Sequence, residues 1–162
     1  MSDRDAAFAE YFAARSGAMR ATAYLLCGDW HRAEDLVQTA FTKLYVHWPR
    51  VTRHETLDPY VRRVLLRTFI DDGRRGWRRR ERPYEQAREP TGDQPDPDDR
   101  LMLVRALSAV PARQRAVLVL RYWEDLSVEA TAAALNCSTG TVKSQASRGL
   151  ATLRTLLSVT TS

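Results

Sequence analysis

Apolar residues recur at intervals of three and four from the N-terminus onward, a spacing that puts them on one face of an α-helix. Phe8, Phe12, Met19, Ala23 and Leu26 mark a first helix that stops near Gly28. Asp29 is placed to cap a second, which carries Val37, Phe41, Leu44 and Trp48 and ends at Pro49. A third opens with Asp58 as cap and Pro59 in its first turn, then runs through Val61, Val64, Leu65 and Thr68 into an arginine-rich end. The same grammar returns further on. Asp98 or Asp99 starts a helix through Leu101, Val104 and Leu107, and Pro111 starts another through Val117 and Leu120. No stretch alternates with the period of a strand, so the predicted fold class is all-α.

The last part of the chain predicts a helix-turn-helix. Ser127 caps a short helix, VEATAAAL; Asn136, Cys137 and Ser138 make a tight turn; Ser138 or Thr139 caps a longer helix, TVKSQASRGLATLRTLL. Val142, Ala146, Leu150 and Leu153 share one side of that helix, so Ser144, Ser147 and Arg148 face away, with Lys143 and Gln145 on the flanks. Lysine and arginine suit guanine and glutamine suits adenine, which makes this face a candidate reader of the major groove. Ser127, Thr139 and Thr141, at the helix starts, complete the candidate surface. A solvated polar face on an ordinary helix pair is the competing reading.

Composition adds the partner. The chain has 162 residues, room for one or two small domains, and 44% hydrophobic residues with four Trp, six Tyr and four Phe to fill their cores. Of 25 basic residues only Lys43 and Lys143 are lysines, and arginine's planar fork suits phosphate and bases. Residues 1–82 carry 16 basic and 11 acidic side chains, residues 83–99 one and six, residues 100–162 eight and three. Two basic bodies therefore flank an acidic strap, PYEQAREPTGDQPDPDD, which holds four of the seven prolines and reads as a flexible linker. The predicted organisation is an N-terminal domain 1–82, the linker 83–99 and a C-terminal domain 100–162. From Arg62 to Arg82 nine arginines face Asp71, Asp72 and Glu81, and Arg74 and Arg75 lie beside Trp77, a pairing suited to a nucleic-acid backbone and unstacked bases. Cys27 and Cys137 are lone thiols and His31, His47 and His54 are scattered, so no metal site and no cofactor is expected. No apolar run is long enough to span a membrane, and early acids stand where a signal peptide would be basic; the expected location is cytoplasmic.

These residues resemble the bacterial sigma factors of the extracytoplasmic-function class, over nearly the whole chain. AEDLVQTAFTKLY at 33–45 is similar to the family's polymerase-binding helix, and DPYVRRVLLRTFIDDGRRGWRRR at 58–80 to its promoter-melting helix. The segment VPARQRAVLVLRYWEDLSVEATAAALNCSTGTVKSQASRGLATLR at 110–154 is similar to its terminal domain, and the arginine-rich style is similar to the sigma-E-like group of actinobacteria. The resemblance implies that Asp35, Gln38, Thr39 and Lys43 face the clamp helices of the largest subunit of core RNA polymerase, with the polymerase flap as a further contact. It implies that His54, Glu55, Thr56, Tyr60, Arg63, Arg67 and Thr68 hold flipped bases of the −10 promoter element. Flipping costs a few kcal/mol, so a pocket and a cationic wall are needed there. The C-terminal domain would read the −35 element, the protein would sit with polymerase at the nucleoid, and an anti-sigma partner stays open.

Three positions depart from the pattern. Arg67 stands where the family often has asparagine, Gln145 where it often has arginine, and Thr131 where it usually has a branched aliphatic. The first two bear on which promoter is read, and the third predicts a looser core. The runner-up function is a stand-alone regulator, since LSVEATAAALNCSTGTVKSQ also resembles the terminal helix-turn-helix of response regulators. Such a protein would carry an α/β receiver or ligand-binding domain in front. An enzyme has no support from a Gly-rich phosphate loop, metal-ligand spacing or nucleophile motif.

Overall fold

The computed structural model describes residues 2–48, 56–78 and 98–161, and side chains at 2–48, 56–72 and 100–158. Every regular element among them is helical. Helix α1 (Asp3–Cys27) starts where Ser2 Oγ accepts from the Asp5 N–H at 3.1 Å. It ends at Gly28, whose φ of 74° is the left-handed conformation that favours glycine and lets its N–H reach the Tyr24 carbonyl. Helix α2 (Trp30–His47) begins as the sequence predicts, with Asp29 Oδ1 accepting from His31 N at 2.7 Å and Arg32 N at 3.4 Å.

Helix α3 (Leu57–Arg78) corrects one expectation. Asp58 lies inside the first turn rather than at the cap. Its Oδ1 is drawn off the helix by α1, accepting from the Tyr11 hydroxyl at 2.5 Å and Arg15 Nε at 3.1 Å. Those bonds fasten α3 across α1, while α2 packs between them through Leu36, Val37, Ala40, Phe41 and Leu44, all buried. The Phe41 ring meets Phe12 edge-on at 5.0 Å and Phe8 at 6.4 Å, and Tyr24 stacks on Trp30 at 3.9 Å. Aromatic contacts of this kind add to ordinary apolar burial.

The C-terminal half contains α4 (Asp98–Ser108), α5 (Ala112–Leu118), a π-helical turn (Val119–Trp123), α6 (Val128–Leu135) and α7 (Thr139–Thr161). α4 begins two residues inside the stretch assigned to the linker; the rest of that stretch, 83–97, lies outside the described residues. The predicted turn and caps are present: Ser127 Oγ accepts from Ala130 N, Ser138 Oγ from Thr141 N, and Asn136 takes the left-handed conformation at φ 54°. Val117, Ala132 and Val142 form a small core of their own. α7 approaches α5 so closely that a Cβ on Gly149 would fall 3.0 Å from Leu118 Cδ1. The buried Thr131 is satisfied, because its hydroxyl donates to the Ser127 carbonyl at 2.8 Å.

The two bodies are packed on one another. Most buried residues of both belong to one continuous cluster that runs from Met19 to Leu120. Arg62, Leu66 and Phe69 fall at helical spacing along α3 and make a second inward stripe, beside the predicted one of Val61 and Leu65. Arg62 pairs with Glu124, and the guanidinium of Arg115 lies 5.6 Å from the Phe69 ring centre.

Candidate polymerase and nucleic-acid interfaces

Helix α7 presents the polar face that its sequence predicts. Thr139, Thr141, Lys143, Ser144, Ser147 and Arg148 are exposed, while Val142 is fully buried and Ala146, Leu150 and Leu153 are partly so. Two of the candidate hydroxyls are already engaged: Ser127 Oγ caps α6, and Thr141 Oγ1 lies 2.9 Å from Ser138 Oγ, the oxygen that caps α7. Gln145 is only partly exposed, and its Oε1 is buried with no hydrogen-bond partner, as is Oε1 of Gln114 on α5. Gln145 thus leans toward the α5–α7 seam.

Beside this face lies a groove of about 360 Å³ that the sequence reading missed. Val128, Val142, Ala146 and Leu150 line it together with Arg121, Lys143 and Arg154. The Arg121 guanidinium donates to the Leu126 carbonyl and sits 5.8 Å from the Tyr122 ring centre. Tyr122 and Trp123 are 58% and 47% exposed. The signal for this groove was Tyr122, which lines it, at the end of an apolar run.

On α2, Asp35, Gln38 and Lys43 are exposed and Thr39 partly so, opposite the buried Leu36, Val37, Phe41 and Leu44. The candidate polymerase face is thus a polar stripe on a helix whose other side is locked in the core. On α3, Arg63 and Arg67 are exposed. Tyr60 is partly buried with its ring 6.1 Å from His47, and the Thr68 hydroxyl donates to the Val64 carbonyl at 2.8 Å. Thr56 is exposed just before the helix. His54 and Glu55 lie outside the described residues; Arg74, Arg75 and Trp77 lie on the helical backbone of α3, with side chains outside them. The structure thus brings Tyr60, Arg63, Arg67 and Thr68 onto one helix, and keeps them on a different body from Lys143 and Arg148.

Between the bodies, Arg115 donates to the Leu26 carbonyl at 2.5 Å and to the Val110 carbonyl at 2.8 Å. It thereby satisfies a carbonyl in the last turn of α1 that the helix itself leaves free. Burial holds its pKa below the ordinary arginine value. Burial likewise pushes the Cys27 thiol up to about 11. Among the described residues no group of three or more His, Cys, Asp or Glu could hold a metal ion, and no helix is long and apolar enough to cross a membrane.

Comparison with known proteins places both bodies. Residues 12–79 match the family model described as Sigma-70 region 2, and residues 100–153 match Sigma-70, region 4. The RNA polymerase sigma-E factor of Streptomyces coelicolor is 41% identical over 152 residues, covering 91% of this chain and 84% of that protein. The sigma-E factor of Streptomyces avermitilis is 40% identical, with 91% and 83% covered. Among solved structures, the sigma factor RpoE of Bartonella quintana, in complex with the anti-sigma factor NepR, superposes with a TM-score of 0.75 at 27% identity, covering 94% of this chain and 97% of that one.

Proposed function

The chain belongs to the sigma-70 family, in its extracytoplasmic-function, sigma-E-like branch, and on that premise we propose how its two bodies divide the work of starting transcription. As an alternative sigma factor it directs promoter recognition and transcription initiation. The stand-alone regulator is set aside, because the N-terminal body is three α-helices that match region 2 rather than an α/β receiver. The proposed partners are core RNA polymerase, through its clamp helices and flap, and promoter DNA. An anti-sigma factor, as in the Bartonella complex, is a third proposed partner. The chain performs no chemistry of its own and works in the cytoplasm, at the nucleoid with polymerase.

The N-terminal domain, residues 1–82, docks on the clamp helices through Asp35, Gln38, Thr39 and Lys43. It opens the −10 element with His54, Glu55, Thr56, Tyr60, Arg63, Arg67, Thr68, Arg74, Arg75 and Trp77. The C-terminal domain, residues 100–162, reads the −35 element with Ser127, Thr139, Thr141, Lys143, Ser144, Gln145, Ser147 and Arg148. The observation that supports this division is the exposure of Arg63 and Arg67 on one body and of Lys143 and Arg148 on the other. Each pair stands on a helix whose opposite face is buried.

Abortive transcription by core polymerase on duplex and on pre-opened bubble templates tests it. Arg148→Ala loses a base contact of about 1 to 3 kcal/mol, weakens duplex initiation and relaxes preference in the upstream element. The Arg63→Ala/Arg67→Ala pair is defective on duplex and partly rescued by the bubble. Equal rescue of both classes refutes the division of labour. An Asp35→Ala/Gln38→Ala chain that still co-purifies with polymerase refutes the docking face.

A further inference from the structure

The end of α2 and the start of α3 meet over one side chain of α1. Tyr11 sets its ring against Phe41 of α2, with 5.9 Å between centres, and against Trp48 at the end of that helix, at 6.3 Å. Its hydroxyl donates to Asp58 Oδ1 at 2.5 Å. Arg15, one turn further along α1, brings Nε to the same oxygen at 3.1 Å. A single face of α1 thus touches Trp48, where α2 stops, and Asp58, the second residue of α3. His47 and Tyr60 make another bridge between those ends, with ring centres 6.1 Å apart.

The polar contacts are not what holds the three helices together. Phe41, Leu44, Leu57 and Val61 already join them as buried neighbours in one cluster. The Arg15 and Asp58 side chains are 33% and 38% exposed, and an ion pair so open to water contributes little. What the Tyr11 hydroxyl adds is direction, because a short bond to a charged acceptor fixes where the first turn of α3 lies. Without it, the Asp58 carboxylate would be free to turn to the N–H groups at the start of its own helix. Burial, and then the bond to Asp58, raise the Tyr11 pKa well above the ordinary tyrosine value, so the hydroxyl remains a donor at neutral pH.

The place so fixed is the one assigned above to strand opening. Thr56 stands two residues before Asp58, Tyr60 two residues after it, and Arg63 close behind on the same helix. A base taken out of its stack is held well only by contacts already in place when it arrives, since any ordering of the pocket at that moment is subtracted from the hold. Resting on that reading of the function, we propose that Tyr11 is a positioning residue for the −10 element. Through Asp58 it sets Thr56 and Tyr60 against the end of α2, and it touches no nucleotide itself.

The test uses holoenzyme assembled from core polymerase and the full chain. Its probes are a fluorescent single-stranded oligonucleotide carrying the −10 element of a promoter that the parent holoenzyme transcribes, and a scrambled strand of the same composition. Tyr11→Phe keeps the ring on Phe41 and Trp48 and removes only the hydroxyl. It weakens binding of the −10 strand three- to tenfold and narrows the preference over the scrambled strand. Affinity for core polymerase and preference in the −35 element stay within twofold of the parent. Asp58→Ala loses as much as Tyr11→Phe, Asp58→Asn, which keeps an acceptor for Tyr11, loses clearly less, and the Tyr11→Phe/Asp58→Ala pair loses no more than the worse single change. Additive losses shared by core binding and by the thermal midpoint overturn the proposal, as does unchanged strand binding in Tyr11→Phe. Should Tyr11→Phe lose helix, equal losses in Asp58→Asn and Asp58→Ala overturn it instead. A parent holoenzyme that holds the two strands equally refutes the strand-opening reading on which the proposal rests, a failure seen in the parent before any variant is made.

Discussion

The N-terminal body is held by a deep core crowded with rings, whereas the C-terminal body has three small buried residues of its own and relies on caps, close backbone contact and its neighbour. Phe41 is surrounded by Phe8, Tyr11 and Phe12; among the described residues Val142 has Val117 and Ala132 as the buried companions in its cluster. The helix proposed above to dock on polymerase, α2, stands on the first of these cores. The unit proposed to read DNA is small and held by its caps. The same 162 residues thus use two different ways of holding a helix still.

The largest test of this contrast compares cores. Phe41→Ala should destabilise by about 3 to 5 kcal/mol, and Val142→Ala by about 1.5 to 3, in thermal or urea unfolding. Equal losses would mean that the C-terminal core is as deep as the other. Caps come next. Asp29→Ala, which takes the accepting carboxylate away from the His31 and Arg32 N–H groups, should cost about 1 to 2 kcal/mol, and Ser127→Ala about 1. A cap loss at Ser127 exceeding that at Asp29 would reverse the expected order. Thr131→Val sharpens the comparison further. Ser127's carbonyl keeps the Thr131 N–H, so the change should stay within about 1 kcal/mol by the same melts.

The smallest effect is on reactivity rather than stability. With its thiol raised to about 11, Cys27 holds a thiolate fraction that grows tenfold per pH unit up to that value. Its alkylation by iodoacetamide should therefore climb through pH 8, 9 and 10 in mass spectrometry. A rate that levels off near pH 8 would show a solvated thiol and a looser end to α1.

Local signals carried most of the fold. Gly28, Asp29, Ser127 and Asn136 punctuate the helices where their side chains or backbone preferences demand, and the alternation of three and four located the inner faces of α2 and α7. What escaped was tertiary. Asp58 is a good capping residue by type, but Tyr11 and Arg15, more than forty positions earlier, claim its carboxylate. Arg62 was counted with the arginine tract, yet it lies on a second inward stripe that exists only because another body covers it. Arg115 sits with Arg113 and Gln114 in the polar first turn of α5, and nothing local says that the Leu26 carbonyl is its partner. In the candidate site the exposed set was legible from periodicity; the partial burial of Gln145 was not, because it depends on how closely Gly149 lets α7 approach α5.

The π-helical turn gives the chain slack in length at one place. A π turn accommodates one residue more than an α turn, so deleting a single residue within Val119–Trp123 would let the segment rewind as ordinary α-helix with everything downstream kept close to its present orientation. The same deletion inside α2, which is α-helical throughout, would turn every side chain beyond it by about 100° around the helix axis. In these five positions a one-codon deletion would therefore leave both bodies and their common orientation in place, where in α2 it would scramble the buried face.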